Sequence, residues 1–273
     1  MLTEIPIMIP HDGDRIIADL HAGGAEGVLL LPGWSGTRYG PQRIFWQAAA
    51  AFAERGFTTL RVDFRGRGDS SGDATVTLDG MIADAAAAAA WLRRERGVTR
   101  LHLIGLCSGG NVALGAAALI SGVGDIVCWS LLPFMEHKAG AARQGTPRGA
   151  LLRQLLRKAA RAESWLKLLR GEANVRGAVG AVAKDKEGDA EERGRKTSQR
   201  DILADLAGFR GKLHLLFGSA DPESPGARAF FEDWRRRHGI PGETRIIPGA
   251  PHNFYTARWT AEAIAQTVIW LHR

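Results

Sequence analysis

Residues 27–32 and 101–106 are almost unbroken in apolar character, the pattern of strands buried on both faces of a sheet. Residues 58–64, 125–132, 212–218 and 244–247 predict further strands. Between them, 41–55, 77–96, 111–120, 225–238 and 257–272 predict helices: the second by its alanines, the third as a small-residue helix able to pack closely on a sheet. Ahead of these lie two short strands, 5–9 and 15–20, around His11-Asp12-Gly13-Asp14, a hairpin turn by its Asp and Gly content and so an antiparallel edge. The rest alternates strand and helix. That order demands a mostly parallel central sheet with helices on both faces, joined by right-handed crossovers. Ligands then bind at the carboxyl ends of the strands.

The rhythm breaks between 133 and 205. Leu151, Leu152, Leu155, Leu156, Ala159, Trp165, Leu166 and Leu169 recur at helical spacing with Arg and Lys between them. This predicts one or two amphipathic helices, followed by a charged, glycine-containing stretch at 184–200 expected to be mobile. The predicted organisation is an α/β core made of 1–132 and 206–273, with 133–205 inserted as a helical cap over the carboxyl edge of the sheet.

Length and composition leave room for one large core: 273 residues, 45% of them hydrophobic. The net charge of +7 raises the question of nucleic acid. Residues 138–176 hold ten Lys or Arg against two Glu, an excess that by itself accounts for the net charge, so the remainder is near neutral. With no nucleic-acid module in sight, the charge reads as a solvated cap surface. No apolar run is long enough for a transmembrane span, and the first residues lack a secretory pattern. Two cysteines, Cys107 and Cys128, are too few for a disulfide framework, so a cytoplasmic location is expected. Oligomeric state is not encoded legibly.

The candidate chemistry centres on Gly105-Leu106-Cys107-Ser108-Gly109-Gly110, between a predicted strand and a predicted helix. A sharp strand-to-helix turn puts its central residue into a strained conformation, aims that side chain at substrate, and needs glycine two positions before and after. Centred on Cys107 the pattern fits. Centred on Ser108 it places Leu106 where glycine is wanted and pushes the nucleophile into the helix. A thiol next to a helix N-terminus and a histidine ionises more readily than a hydroxyl. Of eight histidines, His252 alone follows the last strand in a loop, Gly249-Ala250-Pro251-His252. His102 and His214 fall inside strands and read as core residues. Asp221, just past the strand 212–218, is the candidate acid, with Glu223 as alternative. Oxyanion donors are expected at the backbone N–H of Ser108, one residue past the nucleophile, and of Trp34, in the loop after the strand 27–31.

The loop Leu31-Pro32-Gly33-Trp34-Ser35-Gly36, the stretch 62–70 (Val-Asp-Phe-Arg-Gly-Arg-Gly-Asp-Ser), the cysteine elbow, Asp221 and His252 together resemble the α/β-hydrolase superfamily across essentially the whole chain. The elbow together with 165–172 is similar to small bacterial hydrolases associated with exosortase and exopolysaccharide gene clusters, and the cysteine elbow is also similar to that of dienelactone hydrolases. The resemblance implies an α/β-hydrolase fold and a structural role for Asp63 and Asp69. The chemistry expected is hydrolysis of an ester, lactone or thioester through a Cys107–His252–Asp221 triad and a thioester acyl-enzyme, with neither metal nor cofactor. The substrate is then a small acyl or lactone compound, and the cap arginines suit an anionic group on it. The same residues would serve an acyltransferase or thioesterase-type cyclase, and the fold can also host a non-catalytic ligand-binding protein.

Overall fold

Asp12 and Gly13 both have positive φ, 50° and 82°, as in hairpin turns whose twist matches that of their strands. They join β1 (Glu4–His11) to antiparallel β2 (Asp14–His21) in a register that pairs His11 with Asp14 and Glu4 with His21. The computed structural model describes residues 4–73, 77–133 and 196–272, and elements are numbered in chain order within them.

The strands β3 (Glu26–Leu31), β4 (Thr58–Val62), β5 (Arg100–Leu106), β6 (Val123–Trp129), β7 (Leu213–Gly218) and β8 (Thr244–Ile247) complete an eight-stranded sheet. Its order is β1-β2-β4-β3-β5-β6-β7-β8; β2 pairs antiparallel with β4, and the remaining pairs from β4 to β8 are parallel. Reversal of strand order around β3 and β4 brings the β3 and β5 ends side by side, the crevice where such sheets bind ligands.

Helices cover both faces. One core layer holds α2 (Leu78–Arg96), α3 (Ser108–Ala117) and α5 (Ser224–Arg237), with Ile202 and Leu203 of the short α4 (Ile202–Asp205); the other holds α1 (Ile44–Ala53) and α6 (Ala257–Leu271). Val28, Leu29, Leu30 and Leu31 are wholly buried because each strand face meets one layer. Burying each such side chain is worth roughly 1.5–3 kcal/mol. Helix α2 is capped by Thr77, whose hydroxyl accepts from the Gly80 N–H, and ends at Gly97 with φ 65°.

Two helices begin elsewhere than predicted. The α-helix expected from 41 starts at Ile44, after a single 3-10 turn in which Gln42 and Arg43 have positive φ. The helix expected from 111 starts at Ser108, directly after Cys107. The proposed cap falls largely in residues outside those described, including the leucine-rich stretch 151–169 and the segment 165–172. Among the described residues no helix is long and apolar enough to cross a membrane.

Candidate active site

Cys107 sits where β5 turns into α3, with φ 57° and ψ −126°. A non-glycine residue with positive φ costs of order 1–3 kcal/mol and persists only where its surroundings hold it. The neighbouring glycines are needed for contact reasons. A Cβ on Gly105 would lie 2.2 Å from the Gly109 carbonyl oxygen, and one on Gly109 would lie 2.2 Å from the Leu31 carbonyl oxygen. The Cys107 N–H donates to the Trp129 carbonyl at 2.8 Å, tying the turn to β6. Cys107 is partly exposed, whereas Cys128 is fully buried and its thiol is pushed up by desolvation; both are free thiols. Only the former is accessible for chemistry.

His252 lies in the loop after β8, and Asp221 in the loop after β7. Their contact, His252 Nδ1 to Asp221 Oδ2, is 2.7 Å. Nδ1 therefore carries the proton shared with the carboxylate, which leaves Nε2 on the other side of the ring. The second Asp221 oxygen accepts the backbone N–H of Glu223 at 3.1 Å, so the alternative acid contributes its amide to holding Asp221. The two loops are laced together. Ala220 N–H donates to the Ala250 carbonyl and Gly249 N–H to the Ser219 hydroxyl. A Cβ on Gly218 would come within 2.1 Å of the Ala250 oxygen. Ser130, at the end of β6 with φ 48°, donates its hydroxyl to the His252 carbonyl at 2.7 Å. This support joins residues 122 apart in sequence, and no local pattern announces it.

Burial opposes a charge on His252, but hydrogen bonding to Asp221 and Cys107 and attraction to both outweigh it and push the imidazole up to about 10. The imidazolium is thus the stable form at neutral pH, flanked by two groups that favour it. His102 and His214 behave oppositely. Desolvation lowers both, His214 to about 4, and each uses Nδ1 to accept a backbone N–H, from Asp125 and Glu243 respectively. They are neutral core residues, as the strand positions predicted.

The loop after β3 faces the elbow. Trp34 N–H donates to the Ser108 hydroxyl oxygen at 2.6 Å. Ser108 N–H opens α3, where helical amides lack an intrahelical acceptor. Sequence reasoning placed both amides here; it did not show that the Ser108 side chain caps one of them. The loop is clamped from behind by an ionic network that is buried except at Asp69. Arg38 N–H donates to Asp63 Oδ1 at 2.6 Å, and its guanidinium bonds Asp19 at 2.7 Å, Asp69 at 2.8 Å and Asp63. Burial opposes the Arg38 charge, and these carboxylates outweigh it and raise its pKa. A Cβ on Gly68 would strike the Asp63 carboxylate, so the glycine-rich turn after β4 is shaped by this pair. Arg67 Nε donates to the Trp34 carbonyl at 2.8 Å and its guanidinium lies over the indole ring at 5.3 Å, holding the same residue from the other side.

A cavity of about 510 Å³ opens at this point, lined by Gly33, Trp34, Cys107, Ser108, His252 and Asn253 among others. Cys107 with Ser108, His252, Asp221 and Trp34 therefore converge from four separate stretches of chain. Among the described residues no group of His, Cys, Asp and Glu is arranged to hold a metal ion.

The sequence profile of the alpha/beta hydrolase family matches residues 28–266. The chain belongs to the α/β-hydrolase family. Solved structures of similar fold include an esterase of Pyrococcus furiosus, 18% identical, covering 100% of this chain and 91% of that one with a TM-score of 0.67. A dienelactone hydrolase of Anabaena variabilis is 15% identical over 99% of this chain and 97% of its own, with a TM-score of 0.65. DcsB, solved with its substrate analogue, is 17% identical over 99% and 98%, with a TM-score of 0.69. No curated protein sequence matches significantly.

Proposed function

We propose that this protein hydrolyses ester, lactone or thioester bonds of a small acyl compound through a Cys107–His252–Asp221 triad and a thioester acyl-enzyme. The observation that carries the reading is the positive-φ elbow at Cys107, facing the same cavity as a histidine paired with Asp221 at 2.7 Å. Family membership and the esterase and dienelactone hydrolase of similar fold agree with it.

The steps follow from the groups present. The Cys107 thiolate, paired with imidazolium His252, attacks the carbonyl carbon, and the carbonyl π pair moves onto oxygen. That oxyanion is held by the N–H groups of Ser108 and Trp34, replacing the Ser108 hydroxyl as acceptor at the latter. As the tetrahedral adduct collapses, His252 gives its proton to the departing oxygen or sulfur and leaves a thioester on Sγ. Water then loses a proton to His252 and adds to the thioester carbonyl, and collapse releases the acid and restores the thiolate–imidazolium pair. Asp221 keeps the tautomer and balances the imidazolium charge throughout. Two cationic side chains stand beside Trp34, Lys196 with Nζ 5.5 Å from its ring and Arg67 at 5.3 Å, and an anionic group on the substrate is among those to be tested. A working free thiol is suited to the cytoplasm.

A panel of short-chain thioesters, lactones and p-nitrophenyl esters, run with and without an amine or alcohol acceptor, tests the reading. Hydrolysis is expected on activated acyl donors with water as the main acceptor. Product found almost wholly on the added acceptor would make the protein an acyltransferase, and no turnover of any donor would leave a binding protein.

A further inference from the structure

Two cavities meet at Cys107, and they differ in chemistry. The larger contains His252. The second, about 180 Å³, shares Trp34, Cys107 and Ser108 with it but lacks the histidine, and is bounded among the described residues by Leu78, Asn111, Leu132, Pro133 and Lys196. On the proposed mechanism the leaving group must depart on the side of the group that protonates it, so the larger cavity takes the leaving group. The smaller one is left for the acyl chain.

Beyond Cys107 and Ser108 its described walls are apolar, with Lys196 and Asn111 as the polar exceptions, and of these Asn111 is the buried one. Asn111 lies in the first turn of α3, four residues beyond Cys107, and both line this cavity. It is only 7% exposed, and its Oδ1 is wholly buried without a hydrogen-bond partner. The helix has no folding use for such a group: Val112, Ala113, Leu114 and Ala116 around it are fully buried and apolar. A buried carboxamide oxygen left unpaired is costly, and each unpaired group of this kind needs a reason. A half-turn about the soft terminal torsion presents either the carbonyl or the amide to the cavity.

We propose that this cavity is an acyl subsite and that Asn111 selects an acyl chain bearing a hydroxyl group. A hydroxyl can donate to Oδ1 or accept from Nδ2, whichever the amide presents, which answers a neutral carboxamide. Cys107 and Asn111 share the walls of one cavity of only about 180 Å³. A hydroxyl on the β or γ carbon of a chain attached to Cys107 therefore reaches Asn111. The inference rests on the proposed reading only in taking Cys107 as the point of attachment.

The test compares butanoyl and 3-hydroxybutanoyl N-acetylcysteamine thioesters, the latter as separate enantiomers, on the wild type and on Asn111→Leu. The wild type is expected to favour one hydroxybutanoyl enantiomer by about tenfold in kcat/KM, the factor one neutral hydrogen bond to a buried group supports. Asn111→Leu reverses the order in favour of butanoyl. A second readout needs no turnover: 3-hydroxybutanamide should protect Cys107 from iodoacetamide at about tenfold lower concentration than butanamide, and lose that advantage in Asn111→Leu. Equal wild-type kcat/KM values with equal protection, or a preference unchanged by Asn111→Leu, overturn the subsite. Selective protection without any turnover would overturn the hydrolase reading and leave the subsite standing. Both wild-type comparisons are read without a variant, so a misfolded Asn111→Leu does not remove the test.

Discussion

Cys107→Ala is expected to lower kcat by about four orders of magnitude or more, while Ser108→Ala stays within about fivefold of the wild type. Loss of a triad nucleophile removes the covalent route and leaves only binding and oxyanion stabilisation, which is why such losses are large. Ser108 is adjacent in sequence but differs in geometry. Its proposed contribution is a backbone N–H that alanine keeps, and its hydroxyl now occupies the Trp34 N–H at 2.6 Å. Removing the hydroxyl removes a competitor of the oxyanion, so a modest gain in rate is consistent with the proposed role and a loss above tenfold is not. Cys107→Ser keeps the shape of the elbow but replaces a thiol by a far weaker acid. It should retain partial activity on esters and less on thioesters. A fully active Cys107→Ala beside a dead Ser108→Ala would move the nucleophile to Ser108. Steady-state kinetics on one thioester and one p-nitrophenyl ester decide among these outcomes.

Asp221→Asn carries the second large effect, a fall of about a thousandfold in kcat/KM with a changed pH profile. The carboxylate fixes the Nδ1–H tautomer through the 2.7 Å contact and is one of the two partners that raise His252 to about 10. An amide supplies neither the charge nor an unambiguous acceptor. The sign of the pH effect follows. His252 acts as the acid for the leaving group, so wild-type activity should hold until pH rises through about 10 and the imidazolium is lost. In Asp221→Asn one raising influence is gone, burial continues to oppose the charge, and the falling limb moves to lower pH. The same pKa bears on stability. Being raised above the ordinary value of 6.5, it contributes stability fully present below that pH and progressively lost toward about 10. A pH–kcat/KM profile of both proteins checks the direction, and an unshifted alkaline limb in Asp221→Asn would assign it to another group.

Much of the sheet was legible because strands buried on both faces leave continuous apolar runs: Val28 to Leu31 and Leu101 to Leu106 are all buried in place. The elbow was legible for a related reason. Glycines at 105 and 109 are demanded by backbone-to-backbone approach, which no other residue permits, so their spacing survives in sequence as a pattern. That same demand hid the start of α3. Gly109 and Gly110 read as loop by intrinsic propensity, yet the helix includes them because a Cβ at Gly110 would lie 2.6 Å from Leu131 and one at Gly109 would meet the end of β3. Tertiary contact overrides propensity there. The turn at Gln42 and Arg43 was hidden because non-glycine residues at positive φ carry no local signature. The Ser108 cap on Trp34, the Ser130 support of His252 and the buried amide of Asn111 depend on packing between distant segments. Ser, Ser and Asn are too common for their types to flag such roles.

The most direct measurement of the central claim is the mass of the acyl-enzyme. His252→Ala, incubated with p-nitrophenyl butanoate at alkaline pH, where the thiolate forms without its histidine, can be acylated but lacks the base that activates water. Intact-mass spectrometry followed by peptide mapping is expected to find one butanoyl group, on Cys107, accumulating in step with the nitrophenol released. A butanoyl group on Ser108, or nitrophenol released with no adduct at Cys107, would contradict it.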